Sequence, residues 1–203
     1  MKIVIKKLVV TDLEDKKSKI VTFKPTKNLI TSDKNSCGKS VLMKSIYHTL
    51  GADSSFDKRI SDKDILFVVD FSCLEKEYRI VRKKESFLIF VNNQFTHFYS
   101  RGSRNEMANF YSSEFGVSVY LRSRDKTTEL APPAYLFIPY YLDQDRSWKE
   151  DQYPFSKKSM GQYDPISTNE LYSYHLGLLS KDYGIQKSEI EFLKKQKKNW
   201  KKK

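Results

Sequence analysis

Apolar and polar residues alternate in short stretches through the first hundred positions, which is the pattern of half-buried β-strands. The opening 32 residues predict three such strands, at 2–10, 19–23 and 28–31. Four further strands are predicted at 64–72, 77–81, 87–91 and 94–98. Charged or asparagine turns separate these four, and Asn92-Asn93 suits a tight hairpin because asparagine tolerates positive φ. The stretch from 64 to 98 therefore predicts an antiparallel β-meander.

Helical spacing is found between and after these strands. Leu42, Ile46 and Leu50 recur every four residues, which predicts an amphipathic helix at 39–50. A second helix is predicted at 104–115 and is ended by a glycine. An apolar run at 135–142 contains Pro139, which predicts an edge strand or an interrupted strand.

The last third of the chain is predicted to be helical, with one helix from Thr168 and another from near Ile185. In the second helix, spacings of three and four alternate as in a heptad seam, through Tyr183, Gln186, Ile190, Leu193, Lys197 and Trp200. The sequence stops inside this pattern. We therefore expect an N-terminal lobe at 1–182 and the start of a coiled-coil helix at 183–203, as in a truncated product or one part of a larger coiled-coil protein.

Length and composition narrow the class of protein. A chain of 203 residues with 39% hydrophobic residues is long enough for one domain, and its apolar runs are too short to span a membrane. The N-terminus lacks a secretory signal, and Cys37 and Cys73 are the only cysteines, so we expect a reducing, cytoplasmic location. The net charge is +12, and half of it lies in residues 187–203, which contain eight lysines and two glutamates. A basic chain attracts polyanions, although a lysine-rich helix is more often a solvated surface.

Residues 33–40 carry the strongest chemical signal. They match the phosphate-loop pattern G-x-x-x-x-G-K-[ST] at every fixed position except the first, which is Asp33. A strand is predicted before this loop and a helix after it, so backbone N–H groups would converge on a nucleotide phosphate. Lys39 would neutralise the β and γ oxygens of ATP, and the Ser40 hydroxyl would bind Mg²⁺. The predicted nucleotide-binding residues are Lys34, Asn35, Ser36, Cys37, Gly38, Lys39, Ser40 and Val41.

The opening strands, the Asn-x-x-Gly-Lys-Ser loop, the helix ending in Leu-Gly and the meander together resemble the N-terminal half-head of an SMC/RecN/SbcC-type ABC ATPase. The resemblance covers almost the whole chain and implies an α/β fold, the N-terminal lobe of a P-loop ABC-type ATPase with an antiparallel β-meander and the root of a coiled coil. It also implies a glutamine loop between the meander and the coil, a place that Gln144 fits between Asp143 and Asp145. Gln144 would then bind Mg²⁺ together with Ser40 and position the attacking water, which makes Lys39 and Gln144 the catalytic residues.

The resemblance also implies partners. The family's signature motif, its Asp-Glu strand and its switch histidine lie in a C-terminal lobe, and none of them is present in this sequence. ATP hydrolysis is therefore expected only with the C-terminal lobe of the same ATPase and a second head, in a homodimer that acts on DNA. The compact, divergent loop resembles those of SMC-like ATPases in bacterial anti-phage systems such as Lamassu, where a nuclease subunit is a typical partner. Genome maintenance is the other expected role.

Two alternatives stay open from the residues alone. In the first, the chain is a compact P-loop NTPase or kinase in which the apolar run 65–69 ends in Asp70 as the Walker B residue. In the second, it is a catalytically inactive DNA-binding or scaffolding module. The basic residues for a DNA surface would be Lys58, Arg59, Arg79, Arg82, Lys83, Lys84, Arg101, Arg104, Arg122 and Arg124.

Overall fold

A computed structural model of the chain describes residues 2–34, 38–52, 54–100, 104–124, 127–141, 163 and 165–200. The described residues form an α/β structure built on a six-stranded antiparallel sheet. The strands of this sheet are β1 (Ile3–Asp12), β2 (Lys17–Thr22), β3 (Ile65–Cys73), β4 (Lys76–Lys83), β5 (Ser86–Val91) and β6 (Gln94–Tyr99). The helices and the smaller hairpin are α1 (Lys39–Thr49), α2 (Lys58–Ser61), α3 (Arg104–Phe115), β7 (Tyr120–Arg122), β8 (Thr128–Leu130), α4 (Pro133–Phe137), a 3₁₀ turn (Ile138–Tyr140), α5 (Pro165–His175) and α6 (Lys181–Trp200).

The strand order β2-β1-β3-β4-β5-β6 makes β2 and β6 the two edges of the sheet. Strands β3 to β6 follow one another through short turns and form the meander that the sequence predicts. The turn between β5 and β6 consists of Asn92 and Asn93, which both have positive φ, at 49° and 63°. Two such residues are what a two-residue hairpin turn requires.

The two faces of the sheet have different surroundings. On the inner face, Phe67 contacts the ring of His48 in α1, and Tyr78 contacts the rings of Phe110 and Phe115 in α3. The core lies between this face and the two helices, because alternate strand residues there are buried. We call the opposite side the outer face. It carries the remaining residues of each strand, among them Val68 and Asp70.

The predicted helices at 39–50 and 104–115 match α1 and α3. The last helix begins at Lys181, a turn before the predicted start near Ile185, and the helix expected from Thr168 begins at Pro165.

The predicted strand at 28–31 is wrong, because these residues pair with no other segment in the described part of the chain. The side chain of Asn28 instead closes a loop, since its Oδ1 accepts from the Lys24 N–H at 2.8 Å and its Nδ2 donates to the Lys24 carbonyl at 2.9 Å. Leu29, in the middle of this stretch, is 88% exposed. A strand needs a partner for its backbone groups, and the described residues provide none for this segment.

The predicted strand at 135–142 is also wrong, because its described part forms α4 and the 3₁₀ turn. Proline is favoured in the first turn of a helix, where no backbone donor is needed, and Pro133 is the first residue of α4. Pro139 then interrupts regular helical bonding and lies in the 3₁₀ turn. The run is continuously apolar because α4 is buried, with Tyr135 fully enclosed.

Candidate phosphate-binding site

The start of α1 has the geometry of an anion-binding helix terminus. Gly38 precedes the helix with φ 85° and ψ 11°, a left-handed conformation that glycine adopts without strain. The first helical hydrogen bond runs from the Leu42 N–H to the Gly38 carbonyl, at 2.9 Å. The N–H groups of residues 39–41 therefore precede the helical bonding pattern and point out of the helix end.

Among the described residues, no side chain caps this terminus, and the first turn contains no acidic residue. Most helices have Ser, Thr, Asp or Asn at this position, whose side chain satisfies one of the free donors. Within the described residues, the end of α1 therefore keeps both its donors and the positive end of its helix dipole available for an anion.

Lys39 reaches back over the loop, and its Nζ donates to the Lys34 carbonyl at 3.4 Å. The loop on that side is closed by Ser32, whose Oγ donates to the same carbonyl at 3.1 Å. The Ser40 side chain is exposed at the first turn of α1. Lys34, Gly38, Lys39, Ser40 and Val41 thus lie around one helix start.

Several predicted site residues lie outside the described residues. These are Asn35, Ser36 and Cys37 in the loop, and Gln144 with its neighbours Asp143 and Asp145.

The approach to Gln144 is described, and it packs against α1. Tyr47 donates from its hydroxyl to the Tyr140 carbonyl at 3.0 Å, and its ring lies 4.8 Å from that of Tyr141. The hydroxyl of Tyr140 lies 3.1 Å from Nδ1 of His175 at the end of α5. Residues 140 and 141 are thereby held against α1, and Tyr140 also bonds to the end of α5.

The far end of α1 is held by two buried donors that sequence reasoning missed. Arg82 is 5% exposed, and its Nη1 donates to the His48 carbonyl at 2.5 Å. Tyr111 is fully buried and donates to the Leu50 carbonyl at 2.8 Å. Burial raises the pKa of Tyr111, so its hydroxyl keeps its proton and stays a donor. Arg82 could have been found from the sequence, because it lies two residues after Ile80 and so continues the inward-facing positions of β4.

Asp70, the alternative Walker B residue, lies on the opposite side of the sheet from the described end of the phosphate loop in α1. It lies on the outer face of β3, away from α1, and accepts hydrogen bonds from Arg79 at 2.7 and 3.0 Å. Lys7 approaches the same carboxylate at 2.9 Å. Partial burial raises the pKa of Asp70, but the hydrogen bonds from Arg79 and Lys7 outweigh burial and lower it. The structure therefore gives Asp70 an ion-pair role in the sheet.

Four of the basic residues predicted to form a DNA surface bond to other groups of the chain. Arg82 is buried and donates to a backbone carbonyl, so its guanidinium does not face the surface where DNA would bind. Arg79 binds Asp70, and Lys83 lies 2.8 Å from Asp64. Arg59 pairs with Asp57 in α2. Arg101 and the side chain of Arg104 lie outside the described residues.

In the described residues, no group of three or more His, Cys, Asp or Glu side chains is arranged to hold a metal ion. No helix in the same part of the chain is long and apolar enough to cross a membrane.

Comparison with known proteins identifies two relatives. No protein-family model matches the chain. A Lamassu protein LmuB of Bacillus cereus (strain VD014) is 36% identical over 188 residues, which cover 93% of the chain and 32% of that relative. A Lamassu protein LmuB of a Bacillus sp. strain is 26% identical over 159 residues, covering 77% of the chain and 27% of the relative. The chain therefore spans less than a third of each of these curated relatives.

Proposed function

The chain belongs to the family of the Lamassu protein LmuB, and on that basis we propose that it is the ATP-binding N-terminal lobe of an SMC-like ATPase acting in anti-phage defence. The observation that carries the nucleotide part of this proposal is the start of α1. There, Gly38 is left-handed and the N–H groups of residues 39–41 precede the helical bonding pattern beside Lys39, an arrangement that would hold an anion.

The residues around α1 fit a nucleoside triphosphate. The backbone donors of the first turn hold phosphate oxygens, and the left-handed Gly38 lets the chain turn closely around them. Lys39 exchanges its weak bond to the Lys34 carbonyl, at 3.4 Å, for a charge-assisted bond to phosphate. Because Asp33 is exposed before the turn, its carboxylate need not face the bound phosphates.

Ser40 and Gln144 are the residues proposed to hold Mg²⁺. The ion supplies positive charge against the oxygens of the β- and γ-phosphates. Ser40 is exposed beside the phosphate donors, which fits this role. Support for Gln144 comes from Tyr141, which lies three residues before it and packs its ring against Tyr47 of α1.

Two features support a C-terminal lobe of the same ATPase as a partner. The segment 28–32 leads into the phosphate loop and pairs with no strand among the described residues, and its Leu29 is 88% exposed. The seam residues Ile190, Leu193 and Trp200 of α6 are exposed as well. Both are surfaces that further polypeptide would cover, in keeping with a chain that spans less than a third of its relatives. We propose that a second head then completes the active site, giving a homodimer.

DNA is the proposed target of the complete ATPase, and a nuclease subunit is a proposed further partner. The net charge of +12 favours DNA, as do the exposed Lys194 and Lys197 on α6. The alternative kinase-like function is disfavoured because Asp70 faces away from α1.

The proposal is tested by nucleotide binding and hydrolysis of the full-length polypeptide. Lys39→Ala should weaken ATP binding about 10- to 150-fold, the loss expected for one charge-assisted hydrogen bond. Lys19→Ala, at an exposed lysine of β2, is the matched control and should leave binding unchanged. Gln144→Ala should keep ATP binding and lose hydrolysis, whereas the kinase-like function predicts that loss for Asp70→Asn.

Equal ATP affinity in Lys39→Ala and the wild type would contradict the proposal. ATP binding without hydrolysis in the wild type, at saturating protein and with DNA present, would instead favour the inactive scaffolding module.

A further inference from the structure

Strand β6 is an edge strand without the usual protection against pairing. It is hydrogen-bonded to β5, and within the described part of the chain no strand lies on its other side. Natural edge strands are commonly protected by charged residues or proline. The sequence of β6, QFTHFY, contains no Lys, Arg, Asp, Glu or Pro, whereas the opposite edge β2 carries Lys17 and Lys19.

Two phenylalanines of β6 lie on the outer face of the sheet. Phe95 pairs with Phe90, and Phe98 pairs with Leu88, with an irregularity in the register between the two pairs. The extra residue in β6 brings two side chains that are three positions apart onto one face. Phe95 and Phe98 are each 57% exposed, and the ring of Phe95 lies 5.7 Å from that of Phe90.

Phe98 is also the end of an apolar row that crosses the outer face. At one register position, every strand of the sheet carries an apolar residue. In spatial order the row is Ile20, Val9, Val68, Val81, Leu88 and Phe98. The row contains no charged residue and ends at the unprotected edge of the sheet.

The backbone groups of Phe95 and Phe98 face the open edge. The Asn92 N–H donates to the Glu77 carbonyl of β4 at 2.7 Å, so by alternation Phe90 and Leu88 also bond to β4. The intervening residues of β5 bond to β6, and their partners there are Gln94, His97 and Tyr99. Alternation along β6 therefore directs the N–H and C=O groups of Phe95 and Phe98 away from β5.

We propose that β6 pairs antiparallel with β6 of a second copy of this chain about a two-fold axis, with Phe95 of each copy opposite Phe98 of the other. In this register Gln94 lies opposite Tyr99, and both belong to the inner face, just as Phe95 and Phe98 both belong to the outer face. The two pairs of Phe95 with Phe98 exchange backbone hydrogen bonds and bring both apolar rows together.

A second copy fits this edge better than a charged partner does. The pairing places no like charges opposite each other on β6 and joins four half-exposed aromatic rings across the axis. The net charge of +12 on each copy opposes association at long range, and salt screens that repulsion. Pairing through β6 should therefore strengthen as salt is raised, whereas binding to DNA weakens.

Disulfide trapping in the nucleotide-free, full-length polypeptide tests the pairing. Chains carrying Phe95→Cys and Phe98→Cys are mixed and oxidised with diamide, and the cross-linked peptides are mapped by mass spectrometry. We expect a disulfide between positions 95 and 98. The matched control replaces the first chain with Ile20→Cys, which lies at the other end of the apolar row and is 61% exposed. A 95–98 product no more abundant than the 20–98 product overturns the proposal.

Competition provides a second readout specific to this edge. A tenfold excess of wild-type chain should lower the 95–98 disulfide yield about tenfold by mass action. Ile20→Lys should compete as the wild type does, and Phe98→Lys should not compete, provided that both variants melt at the same temperature. If Phe98→Lys melts lower, Thr96→Glu on the same edge takes its place. Equal competition by the β6 variant and Ile20→Lys also overturns the proposal.

Discussion

Replacing Arg82 with methionine should loosen the end of α1 that lies opposite the phosphate loop. Methionine keeps most of the buried aliphatic volume and removes the guanidinium group. That group donates to the carbonyls of His48, at 2.5 Å, and Lys84, at 2.9 Å, and more weakly to Ala52, at 3.4 Å. It also lies 4.7 Å from the ring centre of Phe87.

The expected cost follows from these contacts. Two good charge-assisted bonds are each worth about 1.5–3 kcal/mol. The loss is moderated because the carbonyl of His48 also accepts from the Gly51 N–H and that of Ala52 from the Ser54 N–H, so neither is left without a donor. We therefore expect Arg82→Met to cost about 2–4 kcal/mol in the local stability of residues 45–52.

Hydrogen exchange of the full-length polypeptide measures this loss. A cost of that size should speed exchange in residues 45–52 by about 30- to 900-fold. Arg79→Met is the matched control on the same strand, since Arg79 lies half-exposed on the outer face and Asp70 keeps Lys7 as a partner. It should cost less than about 1 kcal/mol. Equal exchange in the two variants would refute the assigned role of Arg82.

Two further predictions concern the same end of α1. Burial and then the charge of Arg82 hold the pKa of His48 well below its usual range. Below about pH 6.5, the His48 imidazole is therefore protonated in the unfolded chain but not in the folded one. As the pH falls through this range, the free energy of unfolding should decrease by at most about 1.4 kcal/mol per pH unit. His48→Phe should flatten a melting-temperature series over pH 5–7, and an unchanged slope would contradict this. Gly51 has φ 99°, and an added Cβ would lie 3.0 Å from Pro133. Gly51→Ala should cost about 2–4 kcal/mol in thermal unfolding. Gly177→Ala is the control, because Gly177 has φ 73° and no atom lies within 4 Å of the added Cβ. It should cost about 1–2 kcal/mol, and equal costs for the two variants would exclude a steric contribution from Pro133 at Gly51.

Local sequence signals predicted those parts of the fold that local interactions decide. The alternation in 64–98 and the asparagine turn gave the meander, and the spacing of Leu42, Ile46 and Leu50 gave α1. The segments predicted wrongly depend on distant contacts. The stretch 28–31 has strand-like composition but no partner strand, and 135–142 is apolar because α4 is buried among other elements.

In the candidate site, too, the local features were predictable from the sequence and the long-range contacts were not. The start of α1 was predictable because the phosphate-loop pattern is contiguous. The contacts that hold α1, from Arg82, Tyr111 and Tyr140, come from positions 30 to 93 residues away from their partners, which no local pattern specifies. The place of Gln144 relative to Ser40 stays a prediction.

The two hydrogen bonds at Tyr140 have a mechanical consequence. Tyr140 is hydrogen-bonded at two places. Its carbonyl accepts from the Tyr47 hydroxyl at 3.0 Å, and its own hydroxyl lies 3.1 Å from Nδ1 of His175. A side-chain contact of about 3.6 Å no longer counts as a hydrogen bond, so each of these bonds is lost when it is stretched by about 0.5 Å. A sliding movement of α1 larger than that either drags Tyr140 and the end of α5 along or breaks one of the two links. Tyr140 therefore couples the movement of α1 to that of α5. The weaker of its two hydrogen bonds sets the largest displacement that can pass from one helix to the other.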